Sequence, residues 1–258
     1  MAVGVSTACF YPEPTEEALR KTALTGAKVT EIFFNAPSEL EKGFLDELNN
    51  IKEENGMNIK SIHPYTSFAE GYLLFSLCER RFNDYREFYK KYYETAAYLG
   101  AKIVVFHGAK DNTSFSFNCL EDRLGLMIED AREQGIILAQ ENVVYHNGQS
   151  PQLMRKLRED IGDHFKMVID IKQARRANFS VFDFIEEFSE DICHFHISDH
   201  NDEKDCIAPG MGFFDFEKFF NANKHNGYKG DYIIELYRAG FKDIEDLTKS
   251  FNFIKKFA

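Results

Sequence analysis

Four ionisable side chains lie at the ends of successive apolar segments in the second half of the chain. Glu141 ends ILAQE, Asp170 ends MVID, His196 ends CHFH and Glu235 ends YIIE. A single acidic residue in such a place is usually a helix cap or a surface charge. Three carboxylates that converge would repel one another unless protons or a cation neutralised them. One divalent metal ion is the simplest prediction, with these four residues as its ligands.

The ligand types do not name the metal, because an imidazole with three carboxylates suits Mn²⁺, Mg²⁺, Co²⁺ and also Zn²⁺. The segment ICHFHIS holds two histidines, His194 and His196, which point to the same side of a strand. His196 is nearer the carboxyl end, so we predict that it is the ligand. We predict that His194 is an interior histidine held by a hydrogen bond, or a partner that orients a ligand.

Further polar residues follow the earlier apolar segments. His63 ends SIH and His107 ends VVFH, and we expect both to face the same cavity and to bind substrate hydroxyl groups or a second metal. Glu31 and Asn35 line and end the second strand, where we expect a hydrogen-bonding role.

Basic residues also occur in the loops that we expect to follow the predicted strands. We interpret them as solvated surface charges, with binding of a substrate phosphate or carboxylate as the alternative, and they are Lys110, Lys172, Arg175 and Arg238.

The elements that position these residues alternate along the whole chain. Eight apolar, β-branched segments predict strands, and each is followed by a segment with helical periodicity. Gly100 and Gly135 end predicted helices, and Pro151 lies in the first turn of another. Strict alternation predicts parallel pairing, so we expect an α/β protein in which residues 1–258 form a single (β/α)8 TIM barrel domain. The predicted strands cover residues 3–8, 29–34, 59–65, 102–108, 136–143, 165–171, 192–198 and 231–237.

Composition restricts the class of function. The chain has 258 residues, of which 44% are hydrophobic and 28% charged, which is typical of a globular protein. Its net charge of −11 and the absence of a basic stripe argue against a nucleic-acid partner. No basic leader and no apolar run of roughly 18 residues is present, so we expect a cytoplasmic protein without membrane contact. We keep association into a homo-oligomer as an open alternative to a monomer.

Several short motifs follow one another in the order of the predicted strands. SIHPY, VVFHGA, LAQENV, MVIDIKQA, HFHISD, APGMGFFDF and YIIELY resemble motifs of the xylose isomerase-like barrel superfamily. That superfamily contains sugar and sugar phosphate isomerases and epimerases, inosose dehydratase, hydroxypyruvate isomerase and metal-dependent apurinic endonucleases. The resemblance covers nearly the whole chain.

Resemblance to the ketose epimerase branch implies roles for individual residues. It implies that Glu141, Asp170, His196 and Glu235 bind one divalent metal, manganese among the candidates, and that Glu141 and Glu235 are the catalytic acid and base. The implied substrate is a small-molecule sugar or polyol, and the implied reaction is isomerisation or epimerisation of a small sugar, keto sugar or sugar phosphate through an enediolate. A cation near the carbonyl oxygen would stabilise that charge.

Three positions depart from the epimerase pattern. Gln173 stands where these enzymes have a histidine, Asn147 where they have a glutamate and Asp202 where they have an arginine. We predict that Gln173 binds substrate together with His63, His107, Lys110 and Arg238.

The departures keep three alternatives open. One is an inosose dehydratase-like lyase, and another is a barrel that binds metal without turnover. The third is an apurinic endonuclease. The endonuclease branch uses an aspartate with a histidine close by in the sequence, and here Asp215 has no such histidine.

Overall fold

Eight short strands close into a parallel barrel in the computed structural model of the protein, which describes residues 1–111 and 117–258. The strands are β1 (Val3–Ser6), β2 (Val29–Phe33), β3 (Asn58–His63), β4 (Ile103–Phe106), β5 (Ile137–Glu141), β6 (Lys166–Asp170), β7 (Ile192–Ile197) and β8 (Asp231–Ile234). Each strand pairs with its neighbours in sequence, and β1 pairs with β8 to close the circle. The predicted α/β class and (β/α)8 TIM barrel are confirmed.

Several strands end earlier than predicted, and two of them affect the rim. β1 ends at Ser6 because the Ser6 Oγ atom accepts the Ala8 N–H at 3.2 Å and starts a 3-10 helix. β8 ends at Ile234, although the Glu235 N–H still donates to the Ile197 carbonyl at 3.2 Å. Glu235 therefore lies directly above the sheet, at the rim.

Helices surround the barrel and follow the strands. In the part of the chain that the structure describes, the α-helices are α1 (Thr15–Leu24), α2 (Lys42–Glu54), α3 (Glu70–Leu73), α4 (Glu79–Leu99), α5 (Phe117–Glu133), α6 (Pro151–Ile161), α7 (Ile171–Arg176), α8 (Val181–Phe188), α9 (Phe216–His225) and α10 (Ile244–Ile254). Gly100 ends α4 with φ of 81°, and Pro151 begins α6, as predicted. None of these helices has the length and apolarity needed to cross a membrane.

Aromatic side chains fill much of the layer between the barrel and the helices. Phe195 of β7 packs against Phe219 of α9 with ring centroids 5.0 Å apart, and it stacks on Tyr232 of β8 at 5.8 Å. Tyr89 of α4 packs edge-on against Phe106 of β4 at 5.9 Å. Each such pair contributes about 0.5–1.5 kcal/mol beyond the burial of its area. This layer fixes the strands and hence the side chains at their ends.

Small apolar side chains lie inside the barrel, below the polar groups. Val105, Ala139 and Val168 are completely buried and pack together as a separate cluster. Alternate residues of a strand point to the same face. Ala139 and Val168 precede Glu141 and Asp170 by two positions, so this apolar cluster lies directly below those carboxylates.

Candidate metal and substrate site

The structure brings together the four side chains that the sequence predicted as metal ligands. The candidate ligand atoms of Glu141, Asp170, His196 and Glu235, called the ligand cluster below, all lie within 4.8 Å of one another. The Nδ1 atom of His196 lies 3.0 Å from Glu141 Oε1 and 3.5 Å from Glu235 Oε2. A divalent cation held here would meet three carboxylates and one imidazole nitrogen.

Asp170 combines two roles at the start of α7. Its Oδ1 atom accepts the N–H groups of Lys172 at 2.6 Å and Gln173 at 3.2 Å, and so caps the helix. Its Oδ2 atom is buried and accepts no hydrogen bond of normal geometry from the described residues. The Lys172 ammonium group lies 2.6 Å from this oxygen, so one positive charge is already beside it. The three carboxylates of the ligand cluster carry more negative charge than one ammonium group balances, and a divalent cation would neutralise the rest. The donor set therefore fits a divalent metal ion.

Lys172 was interpreted from the sequence as a solvated charge, and this interpretation was wrong. The side chain is only 3% exposed, and its Nζ atom lies 2.6 Å from Asp170 Oδ2 and 2.9 Å from Glu235 Oε2. The ring centroid of Tyr237 lies 5.0 Å from the same nitrogen. The carboxylates attract the ammonium group because little solvent reaches them to screen their charge.

A buried polar network lies beneath the ligand cluster. The Glu31 Oε2 atom is 3.1 Å from His196 Nε2 and 3.4 Å from His194 Nε2, and it accepts a hydrogen bond from Ser61 Oγ at 2.7 Å. His194 is buried, as predicted, and its Nε2 atom lies 3.1 Å from His196 Nε2. Glu31 thus contacts the His196 nitrogen that faces away from the ligand cluster.

The protonation states follow from burial and close pairing. Burial raises the pKa of Glu141, but hydrogen bonds with His107, His196 and His63 outweigh it and hold this pKa well below its usual range. Burial lowers the pKa of His196, while the carboxylates of Glu235, Glu31 and Glu141 raise it well above its usual value. At Asp170 burial dominates and raises the pKa to about 6. Without metal, His196 therefore carries a proton at neutral pH, and Asp170 takes one up as the pH falls through about 6.

A second group of possible ligands adjoins the first and shares Glu141 with it. The His107 Nε2 atom lies 2.9 Å from Glu141 Oε2 and 3.1 Å from His63 Nε2, and His63 Nε2 lies 3.9 Å from the same carboxylate oxygen. Burial lowers the pKa of His63, but Glu141, Glu235 and Glu31 raise it to about 8. These three residues have the chemistry to hold a second cation.

A cavity of about 210 Å³ opens above both groups. This is smaller than the roughly 300–1,000 Å³ of pockets for drug-sized ligands, so it suits a small molecule. Glu141 and Glu235 reach its wall, whereas Asp170 and His196 lie behind them with 1% and 0% exposure. The lining residues are Ala8, Tyr11, Phe33, His63, Ser67, His107, Glu141, Lys172, Gln173, Glu235, Leu236 and Tyr237.

The predicted substrate-binding residues divide into two sets. His63, His107 and Gln173 line the cavity, and the Gln173 Oε1 atom accepts the Val144 N–H at 3.3 Å. Arg238 instead donates to the carbonyls of Phe241 and Lys242 at 3.1 and 3.2 Å. Lys110 is exposed. Neither Lys110 nor Arg238 is part of the cavity wall formed by the described residues, so their contact with substrate remains a prediction.

The segment after β7 is organised by one buried carboxylate. Asp199 is 1% exposed and accepts the backbone N–H groups of His200, Gly210, Gly212 and Phe214 at 2.8–3.0 Å. Gly210 has φ of 88°, and a Cβ on Gly212 would lie 2.1 Å from the His200 carbonyl oxygen. The glycines of APGMG therefore serve tight backbone geometry.

Two residues beside the ligand cluster were not assigned to it from the sequence. Lys172 follows Asp170 in the first turn of α7, where the helix dipole disfavours a cation, and this position was a usable signal of nearby negative charge. Asn142 accepts the Asp170 N–H at 2.7 Å and donates to the Asp170 carbonyl at 3.1 Å, so it fixes the end of β6. An asparagine after a strand carries no comparable signal.

Comparison with known protein families gives a match over most of the chain. The family described as xylose isomerase-like TIM barrel matches residues 19–257. An uncharacterized protein of Methanocaldococcus jannaschii, MJ1188, is 24% identical over 92% of this chain and 88% of its own length.

Solved structures share the fold at low identity. A D-tagatose 3-epimerase-like protein is 23% identical, with a TM-score of 0.82 over 100% of this chain and 97% of that chain. The IOLI protein, solved with a bound zinc atom, is 18% identical, with a TM-score of 0.77 over 100% of this chain and 96% of that chain.

Proposed function

Because this chain belongs to the xylose isomerase-like TIM barrel family, we propose that it is a divalent-metal-dependent isomerase or epimerase of a small sugar, keto sugar or sugar phosphate. The observation that carries the proposal is the convergence of the ligand cluster below a small cavity. Sugar epimerases are among the solved structures with this fold, which supports the reaction class.

The ligand cluster would hold the metal, with His196 supplying Nδ1 and the carboxylates of Glu141, Asp170 and Glu235 supplying oxygen. A bound dication would supply positive charge beside the carbonyl and hydroxyl oxygens of a sugar, where the charge of an enediolate develops. Manganese, cobalt, magnesium and zinc all suit this set.

Glu141 and Glu235 would move the protons. Both line the cavity, and they come from β5 and from the residue after β8, so both would face a sugar bound in it. One carboxylate would remove the proton from the carbon next to the carbonyl, and the other would return a proton. Asp170 and His196, which are buried behind them, would hold their geometry.

Metal analysis is the first test. We expect about one divalent metal per chain after incubation with Mn²⁺, its loss in His196→Ala and its retention in His194→Ala, because His196 Nδ1 faces the carboxylates. Absence of metal from the wild-type protein after incubation with Mn²⁺, Co²⁺ or Zn²⁺ would contradict the proposal.

Proton exchange tests the reaction. With metal supplied, we expect deuterium from heavy water to enter ketoses, inososes or their phosphates. NMR measures the rate of this exchange. The rate should fall by about 10²–10⁴-fold in Glu141→Gln or Glu235→Gln. The exposed Glu217→Gln is the control. A product that has lost water would favour the lyase, and unchanged rates in both cavity variants would exclude the proposed roles.

A second candidate function is a metal-dependent hydrolase of abasic DNA, and the observation that favours it is the group formed by His63, His107 and Glu141. The net charge of −11 opposes binding to a phosphate backbone. Nicking of an abasic duplex with Zn²⁺ present would support the hydrolase, and intact substrate would remove it.

A further inference from the structure

We propose that Lys172 is an internal competitor of the metal: its ammonium group holds two of the four ligand carboxylates when metal is absent and lowers the affinity of the site for a divalent cation. The inference rests on the proposed function only in taking the ligand cluster as the metal site.

The contacts of Lys172 are concentrated on the ligand cluster. Its Nζ atom forms ion pairs with Asp170 at 2.6 Å and Glu235 at 2.9 Å, and it donates a hydrogen bond to the latter carboxylate. Among the described residues, the ring of Tyr237 also lies near this nitrogen, with its centroid 5.0 Å away. Only 3% of the side chain is exposed, so water competes little for the ammonium group.

The position of Lys172 in the chain fixes this arrangement. Lys172 follows Asp170 by two residues, and its own N–H donates to Asp170 Oδ1 at 2.6 Å. The backbone of the lysine is thus tied to the carboxylate that its side chain contacts. The ammonium group therefore belongs to the site, and its position is fixed by the local backbone.

Two consequences follow from the charges. Without metal, Lys172 neutralises one of the three carboxylate charges of the ligand cluster, so the buried acids remain in place. With metal, two cations must share Asp170 and Glu235. Two positive charges that contact the same carboxylates in a poorly solvated site repel each other strongly. Carboxylate oxygens offer more than one lone pair, so both cations can bind, with the metal held more weakly.

Calorimetric titration of the full-length, chelator-treated protein with Mn²⁺ tests the proposal. We expect Lys172→Met to lower the dissociation constant about tenfold or more relative to the wild type. Lys60→Met is the matched control, because Lys60 pairs with Asp231 at 3.5 Å at the amino-terminal end of the barrel. It should bind Mn²⁺ as the wild type does.

A second readout does not depend on activity. Metal-free Lys172→Met should melt at a lower temperature than the metal-free wild type, and Mn²⁺ should raise its melting temperature more. Lys172→Gln, whose amide can still donate to a carboxylate, gives the same test if Lys172→Met does not fold.

The outcomes separate the two proposals. Equal or weaker Mn²⁺ binding by both neutral variants would overturn the competition and leave the proposed function standing. If the wild type and both variants bind no metal, the proposed function fails, and the competition fails with it.

Discussion

Glu31 shows how one buried residue can control another at the residue scale. Its carboxylate lies 3.1 Å from His196 Nε2 and is itself held by Ser61. A proton on Nε2 is therefore favoured, which leaves Nδ1 free for the ligand cluster. Acceptors of this kind orient metal-binding histidines and raise their basicity.

We predict that Glu31→Gln weakens Mn²⁺ binding by about 10–100-fold, because the amide keeps the shape of the side chain and removes its charge. Calorimetric titration measures the change, with the exposed Glu217→Gln as control. The direction is opposite to that expected for Lys172→Met. An unchanged dissociation constant would mean that Glu31 serves packing alone.

We also predict that metal affinity rises with pH. Burial lowers the pKa of His196, but the nearby carboxylates raise it well above its usual value, and burial raises the pKa of Asp170 to about 6. Because the metal must displace the His196 proton, and below about pH 6 the Asp170 proton as well, affinity should increase about tenfold per pH unit for each proton released. Titrations from pH 6 to 8 in buffers of different ionisation enthalpy count the protons. A pH-independent affinity would contradict these protonation states.

At the scale of elements, Asp199 holds the segment between β7 and α9. Four backbone N–H groups converge on its buried carboxylate, so the segment closes around one side chain. Hydrogen bonds to a charged acceptor are stronger than those between neutral groups. The stability of this segment therefore depends on a residue that lies outside the cavity wall.

We predict that Asp199→Ala lowers the free energy of unfolding by about 3 kcal/mol, because buried donors lose their acceptor. Asp215→Ala is the control: Asp215 caps α9 through one N–H of Lys218 at 2.9 Å, and its loss should cost about 1 kcal/mol. Urea denaturation measures both variants. Equal losses would show that the four contacts of Asp199 do not act together.

Local sequence signals were sufficient to predict the eight strands, because apolar β-branched segments and helix-ending glycines act within a few residues. Strand ends in a parallel barrel meet at one rim, so the convergence of Glu141, Asp170, His196 and Glu235 could also be predicted. The burial of Lys172 could not be predicted, because its place in the first turn of α7 indicates nearby negative charge without identifying the residues that carry it. Its burial depends on Glu235, which is 63 residues away in the chain.

At the scale of the whole molecule, metal binding and folding are linked. We predict that Mn²⁺ at one hundred times its dissociation constant stabilises the protein by about 2.7 kcal/mol, because the ligand cluster exists only in the folded chain. This corresponds to a rise of roughly 5–10 °C in melting temperature. Calorimetry with and without metal measures it, and His196→Ala should lose the rise. An equal rise in that variant would place the metal elsewhere.

The two halves of the barrel contribute different parts of the site. All four members of the ligand cluster lie in β5–β7 or directly after β8, whereas β1–β4 and the segments after them supply Tyr11, Phe33, His63 and His107 to the cavity wall. The consequence is modular inheritance. Recombination between β4 and β5 would carry the complete ligand cluster into another barrel and replace the opposite wall. Chemistry and substrate choice can thus diverge separately in evolution, provided that the new β2 supplies an acceptor in the place of Glu31.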